Sequence, residues 1–230
     1  LTILSTVTGQ MMNEKALCRT IEIYNGHNAA MREFAQVAND HLDMITPRVR
    51  HTVFKSAFFF EKEEHTAIVK EITAALREQP VHSWTGKKII LTGIAFEPDE
   101  VLDILAENQL AVVGDDLAQE SRQYRTDTPV TGGGGLKRLA LQWNARKGCS
   151  LIHEMDKPRG KMLARMCQET GAQGVLTGLM KFCDPEEYDL PFLEEDLRRV
   201  GIQCVTVSID QQSGSVEQLR TRIQSFAELL

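Results

Sequence analysis

The sequence predicts an α/β fold, in which a helical N-terminal segment precedes a four-stranded parallel sheet with helices on both faces. Up to about residue 80, apolar residues recur at helical spacing, and no strand-like alternation is found. From Lys87 onward, short apolar runs alternate with helical stretches, which is the pattern of a parallel sheet. The runs are nearly continuous, as expected of strands that are buried on both faces.

The first predicted unit, residues 1–86, is helical. Three sets of apolar residues each share a helical face: Leu17, Ile21 and Tyr24; Met31, Phe34, Ala35 and Ala38; Ile68, Ile72 and Leu76. Pro47 interrupts the helical pattern between the second and third sets. Residues 79–86 contain proline, serine and glycine and are predicted to be the linker to the second unit.

The second predicted unit, residues 87–230, supplies the strands. In chain order its elements are strand Lys88–Gly93, helix Asp99–Glu107, strand Leu110–Val113, a long polar loop, a helix from Leu136 to Trp143, helix Arg159–Thr170, strand Gly174–Met180, a helix through Leu193 and Leu197, strand Cys204–Ile209, and a helix from Val216 to Phe226. The sequence Gly114-Asp115-Asp116 is predicted to end the second strand.

The predicted order of the strands in the sheet is 2-1-3-4, which is flavodoxin-like. In this order the switch point lies between the first and third strands, so the loops after Gly93 and Met180 face each other across a crevice. Ligands of open α/β sheets bind in such a crevice, at the carboxyl ends of the strands.

Composition excludes several classes of function. The formal net charge of -6, without a basic stripe, argues against nucleic-acid binding. No apolar stretch approaches the roughly 20 residues that span a membrane. Five widely spaced cysteines without a CxxC pair favour a reducing cytoplasm over a disulfide framework, and they disfavour a self-contained zinc or ferredoxin-type site.

Cys183 is the main candidate functional residue. It follows the third predicted strand in a turn fixed by Pro185, and it precedes a helix, so the thiol is expected at the carboxyl edge of the sheet. The alternative is a buried, inert cysteine. The neighbouring acids Asp184, Glu186 and Glu187 would raise the pKa of the thiol, which favours a metal ligand over a free nucleophile.

Other candidates have simpler interpretations. Gln211, in Asp210-Gln211-Gln212 after the fourth strand, either caps the last helix or contacts a ligand. The run Gly132–Gly135 is better explained as a flexible loop than as a phosphate loop, because it does not follow a strand. Cys149 is predicted to pack under a loop, and His153 is a weak candidate for proton transfer.

The run from Lys181 to Pro191, KFCDPEEYDLP, resembles the signature of the 2-hydroxyacyl-CoA dehydratase and benzoyl-CoA reductase family. The similarity extends to IEIYN at 21–25, DDL at 115–117, IDQQ at 209–212 and QLRTR at 218–222. The resemblance implies a two-lobed subunit that pairs with a related second subunit. It also implies a 4Fe-4S cluster held by three cysteines, and an ATP-dependent activator protein that supplies an electron.

The resemblance also assigns roles to residues. Cys183 matches the third cluster ligand, and Cys149 matches a recurrent cysteine that is not a ligand. The other two ligands, and most acid/base residues, belong to an N-terminal lobe, so we expect this chain to be the C-terminal part of a β-type subunit, inactive alone. Asp184, Glu186, Glu187 and Gln211 are then expected to contact substrate or to lie around the cluster.

The expected reaction is loss of water from a 2-hydroxyacyl-CoA through a ketyl radical. Two alternatives remain open. The family motif is shared with benzoyl-CoA reductases, and a non-catalytic flavodoxin-like binding domain would leave Cys183 without a function.

Overall fold

The structure is a computed structural model that describes residues 2–11, 13–152, 154–209 and 216–230. Its helices are α1 Thr2–Thr8, α2 Glu14–Ala38, α3 Pro47–Ser56, α4 Lys62–Arg77, α5 Asp99–Glu107, α6 Ser121–Tyr124, α7 Gly135–Ala145, α8 Arg159–Thr170, α9 Asp184–Arg199 and α10 Val216–Leu229. Its strands are β1 Lys87–Gly93, β2 Leu110–Leu117, β3 Gly174–Met180 and β4 Gln203–Ile209.

The N-terminal segment is helical, as predicted. Helix α2 is a single helix of 25 residues that begins after Asn13, whose side chain accepts a hydrogen bond from the backbone N–H of Ala16. Pro47 occupies the first turn of α3, where a missing N–H costs nothing, and Thr46 caps that helix. These helices bury an apolar cluster of their own, which also includes Tyr124 from α6.

The four strands are all parallel in the order β2-β1-β3-β4, so the predicted fold class is confirmed. Successive strand residues point to opposite faces of the sheet. Ile89 and Leu91 pack with helices α5 and α10. Ile90 packs on the other face with Leu163 of α8 and Leu193 of α9. Both faces of the sheet are therefore covered by helices.

The predicted end of the second strand is wrong. Strand β2 continues to Leu117, with a register shift opposite Ile89 and Ile90 that brings Asp116 beside Thr92 of β1. The strand continues because both of its acidic side chains are provided with buried partners. Asp115 accepts hydrogen bonds from the backbone N–H groups of Leu117 and Ser121, and Asp116 lies among arginines.

The loop after β2 differs from the sequence prediction in one respect, because it contains the one-turn helix α6. A helix of four residues has too few positions to show a helical period, so the sequence pattern could not reveal it. Among the described helices, none is long and apolar enough to cross a membrane.

Candidate functional site at the carboxyl edge of the sheet

Cys183 lies at the carboxyl edge of the sheet, at the position that the sequence predicted. Strand β3 ends at Met180, and Cys183 is the residue before the first turn of α9. Its backbone N–H donates to the carbonyl oxygen of Met180 at 3.2 Å, and its own carbonyl accepts from Glu186 and Glu187. Phe182 takes a left-handed conformation, with φ of 65°, and its side chain is 94% exposed. The turn therefore holds a half-buried thiol at the start of a helix of 16 residues.

The first turns of α9 separate the predicted neighbours of Cys183 into two groups. Asp184 and Glu187 are exposed to solvent, whereas Glu186 is buried with only 2% of its surface exposed. Asp189, one turn further along, is also buried. Glu186 and Asp189 point into the protein and join an ion network directly beneath the turn. Gln211 and His153 lie outside the described residues.

Asp116 is the centre of this network. Its carboxylate is fully buried and pairs with Arg122 at 3.0 Å, Arg125 at 2.5 Å and Arg159 at 2.7 Å. The hydroxyl of Thr92 also donates to it, at 3.1 Å. Burial alone would raise the pKa of Asp116, but the nearby arginines, Arg122 and Arg159 above all, hold it below its ordinary value. Asp116 is therefore ionised at neutral pH.

Arg159 connects Asp116 to helix α9. It begins helix α8, a position where positive charge is unfavourable because of the helix dipole. Its guanidinium compensates by bonding to Asp116, to Glu186 at 2.7 Å, to Asp189 at 3.4 Å and to the Thr92 hydroxyl at 2.8 Å. One buried side chain thus links strands β1 and β2 to the first two turns of α9.

Arg122 provides a second link between the same elements. It pairs with Asp116 and, at 3.3 Å, with Glu186, and its Nη1 atom lies 3.8 Å from the Cys149 sulfur. The Ser150 hydroxyl donates to Glu186 at 2.6 Å. Cys149 is half-buried beside this guanidinium, in agreement with the prediction that it packs under a loop. The Glu186 carboxylate is therefore bonded by Arg122, Arg159 and Ser150.

The remaining cysteines lie apart from the network. Cys167 is buried in the core, and burial raises its pKa to about 11. Burial likewise raises the pKa of Cys204 in β4 to about 11, so both thiols stay protonated at neutral pH. Cys167 belongs to an apolar cluster of the core, and the partly buried Cys204 packs against the same cluster. Cys18 lies in α2, beside Arg138 of α7.

The glycine run before α7 does not offer a free anion site. The backbone N–H of Gly135 donates to the carboxylate of Glu14, a residue of α2. An acidic side chain of the chain itself thus occupies the helix N-terminus, where negative charge is favourable. The interpretation of this run as a loop rather than a phosphate-binding motif agrees with the structure.

The crevice predicted between the first and third strands is filled on one side by the protein itself. Phe96, which follows β1, is fully buried. It packs so closely on Gly178 that a Cβ atom there would lie 2.6 Å from its ring. Among the described residues at this edge, the turn that carries Cys183 is exposed, as the 94% exposed side chain of Phe182 shows.

Sequence reasoning missed the residues that organise this edge. Asp116 was predicted only to end the second strand, and Arg122 and Arg159 were not singled out. A signal was present: an acidic pair in an apolar strand, followed within a few residues by two arginines, indicates buried ion pairing.

Comparison of the sequence with known proteins identifies a family. The family described as "2-hydroxyglutaryl-CoA dehydratase, D-component" matches residues 1–230. The chain is 45% identical over 227 residues to "Lactoyl-CoA dehydratase subunit beta" of Anaerotignum propionicum, an alignment that covers 99% of the chain and 61% of that relative. It is 39% identical to "(R)-phenyllactyl-CoA dehydratase beta subunit" of Clostridium sporogenes, with 99% of the chain and 60% of the relative covered.

A more distant relative is a benzoyl-CoA reductase subunit of Thauera aromatica, at 19% identity over 98% of the chain and 59% of the relative. The chain thus spans about three fifths of the length of these relatives. The family match extends along the whole sequence and includes both the cysteine turn and the strands beneath it. The chain belongs to the 2-hydroxyglutaryl-CoA dehydratase D-component family.

Proposed function

We propose that this chain is part of a subunit of an iron–sulfur 2-hydroxyacyl-CoA dehydratase, and that Cys183 is a ligand of its 4Fe-4S cluster. The observation that carries the proposal is the position of the Cys183 thiol, half-buried at the N-terminus of a long helix and at the exposed edge of the sheet. Ligands of open α/β sheets bind at this edge.

The surroundings of Cys183 fit a cluster ligand. A thiolate is favoured at a helix N-terminus, because the unpaired N–H groups there carry partial positive charge. Bound iron itself drives deprotonation of its thiol ligands. Iron–sulfur clusters are held by several cysteines. We therefore propose that the other ligands come from parts of the protein outside these 230 residues.

The buried network supports a rigid ligand. Arg122 and Arg159 hold Glu186 and Asp189 against strands β1 and β2, so the first two turns of α9 cannot move without breaking buried ion pairs. Cys183 is attached directly to those turns. In this proposal the network positions the ligand, and it does not itself touch the substrate. Asp184 and Glu187, exposed beside Cys183, remain candidates for contact with substrate or cluster.

When bound, the cluster would supply one-electron chemistry that forms a ketyl radical at the thioester carbonyl, from which the 2-hydroxyl leaves. We further propose an acyl-CoA substrate, a related second subunit, an ATP-dependent activator protein and a cytoplasmic location. The names of the relatives, each of which is a subunit, support a multisubunit enzyme. The higher identity to the two dehydratases favours dehydration over reduction of benzoyl-CoA.

Anaerobic reconstitution of the full-length protein with iron and sulfide tests the cluster assignment. We expect the absorption and spin-resonance signals of a 4Fe-4S cluster, and we expect Cys183→Ser to abolish or alter them. Cys18→Ser is the matched control, since Cys18 is also half-buried but lies on α2. An unchanged cluster signal in Cys183→Ser would overturn the assignment of Cys183 as a ligand, and the absence of a cluster signal in the unsubstituted protein would favour a binding domain.

Turnover assays test the reaction. A panel of 2-hydroxyacyl-CoA thioesters and benzoyl-CoA, supplied with the partner subunit and activator, separates dehydration from ring reduction. Reduction of benzoyl-CoA without dehydration of any 2-hydroxyacyl-CoA would contradict the proposed activity, even if the cluster is present.

A further inference from the structure

A second group of ionisable side chains lies where helix α3 meets the connection between β1 and α5. His51 of α3 is buried, with only 3% of its side chain exposed. Its Nδ1 atom lies 2.6 Å from Glu120, and its Nε2 atom lies 3.3 Å from the Oε1 atom of Glu97. Asp99, the first residue of α5, completes the group. Each of these residues, His51, Glu97 and Asp99, offers one ligand atom, and the three atoms lie within 4.8 Å of one another.

The hydrogen bond to Glu120 determines which nitrogen of His51 is available. A histidine that binds a metal through one ring nitrogen usually donates the other N–H to a carboxylate, which fixes the tautomer. Glu120 is buried and takes this role at Nδ1, so Nε2 is left facing Glu97, with the Asp99 carboxylate in the same group. Burial lowers the pKa of His51, but Glu120 and Glu97 more than offset this and raise it. The hydrogen bond to Glu120 therefore leaves Nε2 as the nitrogen available to a metal ion.

The distance between His51 and Glu97 suits a small divalent ion. Two ligands of a tetrahedral ion, with bonds of about 2.1 Å, lie roughly 3.4 Å apart. The distance of 3.3 Å between His51 Nε2 and Glu97 Oε1 is close to this value. The side chain of Asp99 is 45% exposed, so it can turn toward an ion at little cost. Three protein ligands would leave a fourth position for water, as in open zinc sites.

Two cations now neutralise the carboxylates. The ammonium of Lys55, one turn after His51 on α3, contacts Glu97, and Arg48 lies 3.2 Å from Asp99. The Lys55 side chain is 35% exposed and can move into solvent. These pairs show that the carboxylates attract positive charge to this point. They also make Lys55 a direct competitor of any metal ion at Glu97.

We propose that His51, Glu97 and Asp99 form a binding site for a divalent transition-metal ion, with Zn²⁺ or Co²⁺ as suitable occupants. Glu120 orients the His51 ring, and Lys55 competes with the ion for Glu97. An imidazole with two carboxylates suits these ions, whereas an imidazole ligand disfavours Mg²⁺ and Ca²⁺. The ion would connect α3 to the start of α5. The site shares no residue with the Cys183 turn, so it does not depend on the proposed cluster.

Titration of the chelator-treated protein with Co²⁺ tests the proposal, because bound Co²⁺ has visible absorption bands that report its ligands. We expect one equivalent to bind, Zn²⁺ to displace it, and Glu97→Gln to weaken binding by roughly tenfold or more. The titration is performed in Cys183→Ser, because thiolates also bind Co²⁺ and give strong near-ultraviolet bands.

Two further variants make the test specific. Asp103→Asn is the matched control for Asp99→Asn, since both carboxylates lie on α5, pair with Arg48 and are similarly exposed. We expect Asp99→Asn to weaken Co²⁺ binding and Asp103→Asn to leave it unchanged. Lys55→Met should lower the Kd severalfold by removing the competitor. Absence of stoichiometric Co²⁺ binding, or equal affinity in Glu97→Gln and the unsubstituted protein, would refute the site.

Discussion

Replacement of Asp116 by asparagine tests whether the buried network holds the carboxyl edge of the sheet together. Asparagine has nearly the shape of aspartate, so the substitution removes charge without leaving a large cavity. It leaves three arginines, Arg122, Arg125 and Arg159, around a neutral group, with Glu186 and Asp189 as the remaining carboxylates. The buried network then carries an unpaired positive charge.

The expected loss of stability is large. Removal of one partner from a buried ion pair costs about 3–5 kcal/mol, because the other charge remains buried. Asp116 is fully buried, so this range applies without correction for solvent. For a chain of this size, each kcal/mol lowers the thermal midpoint by about 2–4 °C. The midpoint of Asp116→Asn should therefore fall by about 6–20 °C.

Urea denaturation and thermal melting, both followed by circular dichroism, measure this effect. Asp127→Asn is the control, because Asp127 pairs with Arg32 but its side chain is 42% exposed. An exposed pair contributes about 0.2–1 kcal/mol, so the control should lose little. A loss of free energy of unfolding in Asp116→Asn no larger than in Asp127→Asn would refute the argument that the network is an essential support.

The pH dependence of stability provides a second readout of the same residue. The folded-state pKa of Asp116 is lowered, so the unfolded chain binds the proton more readily. The stabilisation is complete well above the unfolded-state pKa of about 3.9, and it is lost as the pH falls through the lower folded-state pKa. Asp116→Asn should therefore lose less stability than the unsubstituted protein between neutral pH and acid.

Three other predictions concern single residues. Cys183→Ser should change the free energy of unfolding by less than about 1 kcal/mol, because the site is half-buried and serine is favoured before a helix. A larger loss, measured by urea denaturation, would mean that the thiol has a structural role. Burial, together with Lys62 and His65, lowers the pKa of His27 to about 4. An NMR titration of its ring should therefore show no protonation near pH 6.5, and the free energy of unfolding should fall as the pH drops from about 6.5 toward 4. Gly26→Ala should stabilise α2 by about 0.5–1 kcal/mol in thermal melts, because no atom other than the adjoining helix backbone lies within 4 Å of the added methyl group. A destabilised variant would contradict that packing.

The sequence determined the elements and their order to a large extent. Strands β1 and β3 contain short apolar runs, and β4 alternates apolar and polar residues; these local patterns do not depend on contacts with the rest of the chain. The position of Cys183 followed from the same local pattern, since a strand, a turn and a helix in succession place the turn at the edge of the sheet. The helices of the N-terminal segment were visible because apolar residues repeat every three or four positions.

Only the tertiary structure decided which charges meet. Asp116, Arg159 and Glu186 are far apart in sequence, and the sequence pattern alone does not show that they share one buried network. The same holds for His51 and Glu97, whose approach depends on how α3 packs against α5 and the loop that precedes it. Local patterns follow from the conformation of neighbouring residues. Long-range ion pairs follow from the packing of whole elements, which no short stretch of sequence specifies.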